Sequence, residues 1–321
     1  MKVAMVGTGG VALRHLGVLA PLREVDIVGH VSADRTRAAA QASQWGGRAY
    51  VDVATMLDAE QPAAVWLCVT PDRHGPPERA LIERALPFFV EKPLAVDLEP
   101  AEEIARRLQQ ARLVVAVGYK FRALDTLARV RELLAEAPAR MAIGAWHGSL
   151  PSPPWWRHAA FSGGQFVEQA THLVDLARLL LGEGTLVSAT GGRWARTDHP
   201  DSDVSGVSAA LLRFGDVPGV FSASCILPAS AAIHLQLICD GRMVTISEQQ
   251  VRVETGPEVS TITTGVDPFL AEDVAFMEAV RTADPGRVLS SYADALESHR
   301  LCCAIRDAMT ASPGGPTAVD R

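Results

Sequence analysis

The chain has 321 residues, 48% of them apolar and 21% charged, with a formal charge of -7 at pH 7. That length suits two domains rather than one core, and the chain has no apolar run long enough to cross a bilayer, so membrane insertion is not expected. Net acidity without clustered Lys and Arg argues against nucleic acid and leaves a small molecule as the expected partner.

The opening Met1 to Val6 is too short for a signal h-region and runs straight into a glycine turn, so it reads as a first strand. Gly7-Thr8-Gly9-Gly10-Val11-Ala12 then matches G-x-G-x-x-A ahead of a helical Leu13 to Leu19. Gly7 permits a tight turn, Gly9 lets the backbone approach a pyrophosphate, and the small Ala12 lets the helix pack on the strand. A tight turn with no ligand is the alternative, but the flanking strand and helix favour a dinucleotide. After the second strand, Asp26 to Val31, Ser32 stands where an acid would bond the ribose hydroxyls, and Arg35 and Arg37 follow. A hydroxyl with two nearby guanidiniums suits a 2′-phosphate, which favours NADP. Sliding the strand by two residues makes Asp34 the ribose acid and the cofactor NAD; Asp34 equally suits a helix N-cap.

Further short apolar runs, Ala64 to Val69, Phe88 to Val90 and Leu113 to Val117, alternate with helical segments such as Glu99 to Leu113. This alternation predicts a parallel sheet with crossover helices. Ligands bind beyond the carboxyl ends of such strands, which places Thr70-Pro71-Asp72 on the nicotinamide side and Glu91-Lys92 at the next strand end. Lys92 can keep its stem among apolar neighbours while its ammonium faces a ligand, although a strand-end charge in water has the same local sequence.

From about residue 139 the pattern changes to longer strand-like stretches: Met141 to His147, Leu186 to Trp194, Val204 to Phe214, Val220 to Leu227, Ile233 to Cys239 and Met243 to Glu248. Asp240-Gly241 is a two-residue hairpin signal, and Phe214 to Gly219 supplies another turn. Helices are expected at Phe166 to Leu181, Ala271 to Thr282 and Ala293 to Met309. The reading is therefore a dinucleotide-binding α/β domain at 1–121, an α+β domain with an antiparallel sheet at 122–310, and a disordered tail at 311–321.

Within Phe166 to Leu181, Glu168, His172 and Asp175 recur at i, i+4 and i+7 and so share one helix face, opposite an apolar one. A solvated face and a metal site are the competing readings, but no other matching ligand cluster accompanies them, so no metal is expected. Alcohol oxidation must lose a hydroxyl proton, and His titrates near neutrality, which makes His172 the general acid/base. Trp155 and Trp156 can wall a sugar or pack between domains. His15, His74, His147 and His234 read as structural. The five cysteines form no C-x-x-C pair and read as reduced, mostly buried thiols, as suits the cytoplasm.

Together, Val6-Gly7-Thr8-Gly9-Gly10, Val69-Thr70-Pro71, Glu91-Lys92-Pro93, Val117-Gly118-Tyr119 and Ser162-Gly163-Gly164 followed by Glu168, His172 and Asp175 resemble the Gfo/Idh/MocA family. The resemblance covers essentially the whole folded chain. It implies a Rossmann domain joined to an open, mostly antiparallel sheet domain that often mediates homodimer or homotetramer formation. It also implies a secondary alcohol and ketone interconverted on a sugar, sugar derivative or cyclitol. Lys92 then orients the substrate oxygen and His172 relays the proton, with Glu168 beside it. The cofactor is held by Gly7, Thr8, Gly9, Gly10, Val11, Ser32, Arg35, Arg37, Thr70, Pro71, Glu91 and Lys92, and the substrate also meets Tyr119, Lys120, Trp155, Trp156, Glu168 and Asp175. Two departures stand out: Glu168 replaces an Asp common in the family, and Lys120 replaces an Asn. Lys120 and Arg122 suit an acidic substrate or hold carboxylates of the protein. C=N or C=C reduction, a redox-neutral reaction with retained cofactor, and a non-catalytic dinucleotide sensor are the alternatives.

Overall fold

The computed structural model describes residues 1–192 and 198–311. Residues 193 and 194, the expected end of one strand, and 312–321, most of the expected tail, lie outside the described residues.

The chain begins with β1 (Lys2–Val6), α1 (Gly10–Leu19), β2 (Asp26–Val31), α2 (Arg35–Trp45), β3 (Arg48–Tyr50), α3 (Val53–Glu60), β4 (Ala64–Leu67) and α4 (Pro76–Glu83). It continues with β5 (Phe88–Val90), α5 (Leu98–Ala111), β6 (Val115–Val117) and α6 (Leu127–Glu136). The six strands form a parallel sheet in the order β3-β2-β1-β4-β5-β6. β4, β5 and β6 are buried throughout because helices cover both faces, which is why they read as unbroken apolar runs rather than alternating ones. The strand order reverses between β1 and β4, the position where open α/β sheets leave a crevice beyond their carboxyl ends.

There follow β7 (Ala139–His147), α7 (Ala159–Ser162), α8 (Gln165–Glu168), α9 (Thr171–Leu181), β8 (Gly184–Gly192), β9 (Val207–Phe214), β10 (Val217–Ser224) and β11 (Ala232–Cys239). The last elements are β12 (Arg242–Ile246), β13 (Gln250–Thr255), β14 (Glu258–Thr263), α10 (Pro268–Thr282) and α11 (Tyr292–Ala311). A second sheet runs β14-β13-β12-β11-β7-β10-β9-β8, antiparallel at every pairing except β7 with β10. Buried Leu235 and Leu237 alternate with more exposed Gln236 and Ile238, the period-two pattern of a sheet with one packed face. Gly241 takes the positive φ (+76°) that the Asp240-Gly241 hairpin needs.

Contacts divide the chain into one unit of Met1–Leu127 with Thr264–Glu297, and another of Ala128–Thr263 continuing from Ser298. In chain order α10 falls within the expected second domain, yet it belongs to the first unit. Its Phe276, Met277 and Ala279 join Leu16, Trp66 and Phe89 in the core on one face of the parallel sheet. The expected single helix from Phe166 to Leu181 is instead two: α8 ends at Glu168 and α9 begins at Thr171, with the Ala170 N–H between them bonded to Gln165 O (2.8 Å), five residues back instead of four.

Candidate functional site

The carboxyl edge of the parallel sheet is built by backbone. Gly7 donates to Val31 O (2.9 Å), Cys68 to Val6 O (2.7 Å), Glu91 to Leu67 O (2.9 Å) and Gly118 to Val90 O (3.0 Å), so the ladder continues just past each strand. Gly7 has φ +115°, and a Cβ there would lie 2.0 Å from the Cys68 carbonyl oxygen, so no other residue fits the turn. Around Gly9 and Gly10 the space that a Cβ would take is open. α1 starts with no side-chain cap and no acid in its first turn. Its amide N–H groups and the positive end of its dipole are therefore available to an anion, and the turn fits a pyrophosphate.

On the ribose side β2 ends at Val31, with Ser32 immediately after it. The Thr8 hydroxyl donates to the Ser32 hydroxyl (3.2 Å), and Arg37 Nη2 donates to the Thr8 carbonyl (2.7 Å). Asp34 is the N-cap of α2, accepting from the backbone N–H of Thr36 (2.9 Å) and Arg37 (3.3 Å). Ser32, Arg37 and Thr8 are thus brought together, Arg35 opens the exposed first turn of α2, and Asp34 has the capping role. Thr70 and Pro71 follow β4, where the Thr70 hydroxyl donates to Asp72 (2.5 Å).

Lys92 lies one residue beyond Glu91 at the end of β5, half-buried, with a cis peptide to Pro93. Glu91 is buried, and its Oε2 accepts from the Lys92 backbone N–H (3.1 Å) while its Oε1 meets His15 Nε2 (3.0 Å). Tyr119, expected to meet substrate, lies in the apolar core at 1% exposure. Lys120 Nζ sits over the Phe269 ring (5.1 Å), and Arg122 pairs with Asp294 and donates to Leu289 O (3.3 Å). Of the two expectations for Arg122, holding a protein carboxylate is the one observed.

A buried charged cluster, absent from the sequence reading, lies beneath Lys92. His15, fully enclosed, places Nδ1 at 2.9 and 3.0 Å from the two Asp273 carboxylate oxygens, and Trp66 Nε1 donates to Asp273 at 2.8 Å. Burial opposes charge on the ring, but Asp273 and Glu91 outweigh it and hold His15 well above the usual histidine range. Burial also pushes Asp273 up, against His15 and the Trp66 N–H; the two-oxygen contact with the ring favours its carboxylate form. Burial, reinforced by the Glu91 charge, drives Glu272 well above the carboxylate range. Among the described residues, the His/carboxylate group able to hold an ion is His15, Glu91 and Glu272, whose ligand atoms lie within 4.8 Å of one another. Their separation along the chain hid them; only the position of His15 on the helix after the glycine turn gave a hint.

In the second unit, His172 lies on α9 with its ring stacked on Trp146 of β7 (centroids 5.9 Å apart, 19° between planes). The polar face expected for this helix is not solvated: Thr171 through Arg178 are all buried. Glu168, at the end of α8, accepts from Trp156 Nε1 (2.6 Å). Trp156 is 1% exposed and packs with Val204 and Cys225, so it presents no open wall, whereas Trp155 is half-buried beside it. Asp175 is enclosed and turned to α11, where it accepts from Ser298 Oγ (2.7 Å), and Arg178 Nη1 donates to the same hydroxyl (2.7 Å). Two further histidines bond to neighbouring side chains: His74 Nδ1 to Glu78 (2.6 Å) and His147 Nε2 to Ser222 (2.9 Å). All five cysteines are buried, and none is joined in a disulfide.

Residues 1–119 match the family model for an oxidoreductase family with an NAD-binding Rossmann fold, and residues 138–245 match the GFO/IDH/MocA C-terminal domain. Fold and match together define an oxidoreductase with a Rossmann domain for a nicotinamide dinucleotide. The chain belongs to the Gfo/Idh/MocA family. It is 26% identical to a D-apiose dehydrogenase from Paraburkholderia graminis over 69% of this chain and 59% of that one. It is 25% identical to a myo-inositol 2-dehydrogenase from Thermotoga maritima over 57% of this chain and 55% of that one, so the chain spans somewhat over half the length of these two relatives. A 3-ketoreductase from Actinomadura kijaniata, solved with NADP and TDP-benzene, shares the fold at a TM-score of 0.83 and 18% identity, covering 96% of this chain and 97% of that one. No helix among the described residues is long and apolar enough to cross a membrane.

Proposed function

We propose that the protein interconverts a secondary alcohol and a ketone on a sugar, sugar derivative or cyclitol, using NADP in preference to NAD. The observation that carries this reading is the placement of Lys92 at the carboxyl edge of the same parallel sheet whose first turn, Gly7 to Val11, is uncapped and open for a pyrophosphate. The dehydrogenase relatives named for D-apiose and myo-inositol support the substrate class.

Gly7, whose own N–H is bonded to Val31 O, shapes the turn; Thr8, Gly9, Gly10 and Val11 meet the pyrophosphate with backbone N–H groups, and Thr70, Pro71, Glu91 and Lys92 border the nicotinamide side. Ser32 with Arg35 and Arg37 accepts the 2′-phosphate; Asp34, tied to two backbone N–H groups, is already engaged as a cap. Bound in this way, the nicotinamide supplies the hydride donor or acceptor. Lys92 holds the substrate oxygen by its ammonium, and His172 takes the hydroxyl proton in oxidation or returns it in reduction. Glu168, oriented by the Trp156 N–H, lies on the neighbouring helix and contributes a carboxylate to the substrate side with Trp155 and Lys120.

We assign the cofactor to residues 1–121, and substrate contacts and assembly to 122–310 outside α10. Leu211 (46% exposed) and Ile238 (36% exposed) on the second sheet support a homodimer or homotetramer built on that face. The chemistry is that of a cytoplasmic enzyme supplied with a diffusible nicotinamide cofactor. Assaying the full chain with NADP and NAD against polyols, aldoses and cyclitols, and with NADPH against keto-sugars, tests the reading. Turnover with at least one compound and a lower KM for NADP are expected; bound cofactor that never exchanges overturns the dehydrogenase assignment. Ser32→Asp should weaken NADPH binding by about tenfold, the scale of 1.4 kcal/mol, without weakening NADH.

A further inference from the structure

We propose that His15 is a positioning residue that fixes Lys92 through Glu91, with Asp273 holding its ring from the other side. The proposal rests on the substrate-orienting role assigned to Lys92 above. Three segments remote in sequence make one continuous path: Asp273 on α10, His15 on α1, and Glu91 beyond β5 with the adjacent Lys92 backbone N–H.

The geometry of the ring carries the argument. Nδ1 faces both Asp273 oxygens and Nε2 faces Glu91 Oε1 at 3.0 Å. Carboxylates accept, so both ring nitrogens donate, and His15 sits between two anions as an imidazolium. The raised affinity of His15 for its proton agrees with that assignment. Glu91 is left with one direction for its second oxygen, toward the Lys92 N–H at 3.1 Å.

Packing removes the alternatives. The His15 ring lies edge-on to Phe89 (5.0 Å) and Phe269 (5.2 Å), which limits its rotation. A Cβ on Gly118 would come within 2.4 Å of Glu91 Oε1, so glycine there makes the space that this carboxylate fills. α1, whose first turn faces the cofactor, is thereby braced directly to the turn that carries Lys92. A displacement of about 1 Å in such a positioning group can cost on the order of a hundredfold in rate, so the brace bears on catalysis without touching substrate.

The chain has three lysines, Lys2, Lys92 and Lys120, which makes amine labelling a clean readout. The folded full chain is pulsed with acetic anhydride, and each lysine peptide is quantified by mass spectrometry, with exposed Lys2 as the reference. His15→Gln and Asp273→Asn should each change the Lys92 rate relative to Lys2 by about threefold or more, the scale of about 0.7 kcal/mol. Glu91→Ala should do the same. Glu91→Gln should restore a near-wild-type Lys92 rate, because its amide can accept from the Lys92 N–H and donate to a neutral His15 ring. An unchanged Lys92 rate in both His15→Gln and Asp273→Asn overturns the proposal, as does equal acceleration of all three lysines, which reports general loosening. A stoichiometric divalent ion on the purified protein, lost in His15→Gln, also overturns it, since the cluster would then be a metal site. Turnover of Lys92→Ala is measured separately: near-normal activity sinks the assigned role of Lys92 while leaving the labelling result to judge the brace.

Discussion

Each unit of this protein carries a buried polar network next to a proposed catalytic side chain, and the two networks solve the same electrostatic problem with different cations. In the first, Asp273 and Glu91 flank His15, and the path ends at the Lys92 backbone. In the second, one turn along α9 from His172, Asp175 and Arg178 share the Ser298 hydroxyl, and Arg178 continues to the exposed Glu183 (2.7 and 3.0 Å). A guanidinium keeps its charge at every accessible pH, whereas an imidazolium keeps its charge only while the ring retains its second proton. The cation of the Arg network should therefore keep its charge as pH rises, and that of the His network should lose it.

The largest effects test the side chains these networks serve. His172→Ala should lower turnover by about 10² to 10⁴, and Lys92→Ala by about 10² to 10³, with NADPH affinity by fluorescence titration unchanged in both. Normal turnover in either variant breaks its side of the comparison. Next, Asp175→Ala removes an enclosed carboxylate from the Arg178 network and should cost about 3–5 kcal/mol in denaturant unfolding; an unchanged midpoint would mean that the Arg178 network does not depend on this carboxylate. Gly118→Ala forces a methyl against Glu91 Oε1. It should destabilise by about 1–3 kcal/mol and shift Lys92 acetylation as His15→Gln does.

The smallest effect separates the two cations. The His15 pKa is raised in the folded protein, so its contribution is complete below the ordinary value of 6.5 and is lost as pH rises through the folded value. Glu272 is also raised, by burial and then by the Glu91 charge, and has the same sign: the neutral acid is favoured on folding, and that contribution fades as pH rises. The unfolding free energy should thus fall on the alkaline side by at most about 1.4 kcal/mol per pH unit for each proton, and the fall should be shallower in His15→Gln. Asp175→Ala should keep the wild-type slope. Equal slopes in wild type and His15→Gln would remove the imidazolium from the account.

Features set by neighbours in sequence were readable without the structure. Gly7 to Ala12 announces its turn because Gly7 answers a local steric demand and the glycines after it leave the helix start open, and Phe88 to Val90 is the strand its apolar run predicts. Lys92 is placed by that strand end alone. The missed hairpin of β13 and β14 is explained by its outer strand, Glu258–Thr263, which is mostly exposed and rich in Ser and Thr, so it lacks alternation between apolar and polar residues. The break at Gln169 went unseen because the polar spacing of Glu168, His172 and Asp175 continues in phase across it. Burial misled twice: Tyr119 and Trp156 offer aromatic faces in sequence, but both are packed inside. The His15 cluster was least visible, since its bonds join positions 76 and 258 residues apart.

Gly118 leads to a rule about heredity rather than mechanics. The conformation of Glu91 depends on a methyl group that is missing from a neighbouring strand end, so the two positions form one inherited unit. A lineage that enlarges Gly118 must shorten or discard the acid at 91 in the same step or soon after. Aligned relatives should therefore show the pair changing together, while each remains nearly constant wherever the other does.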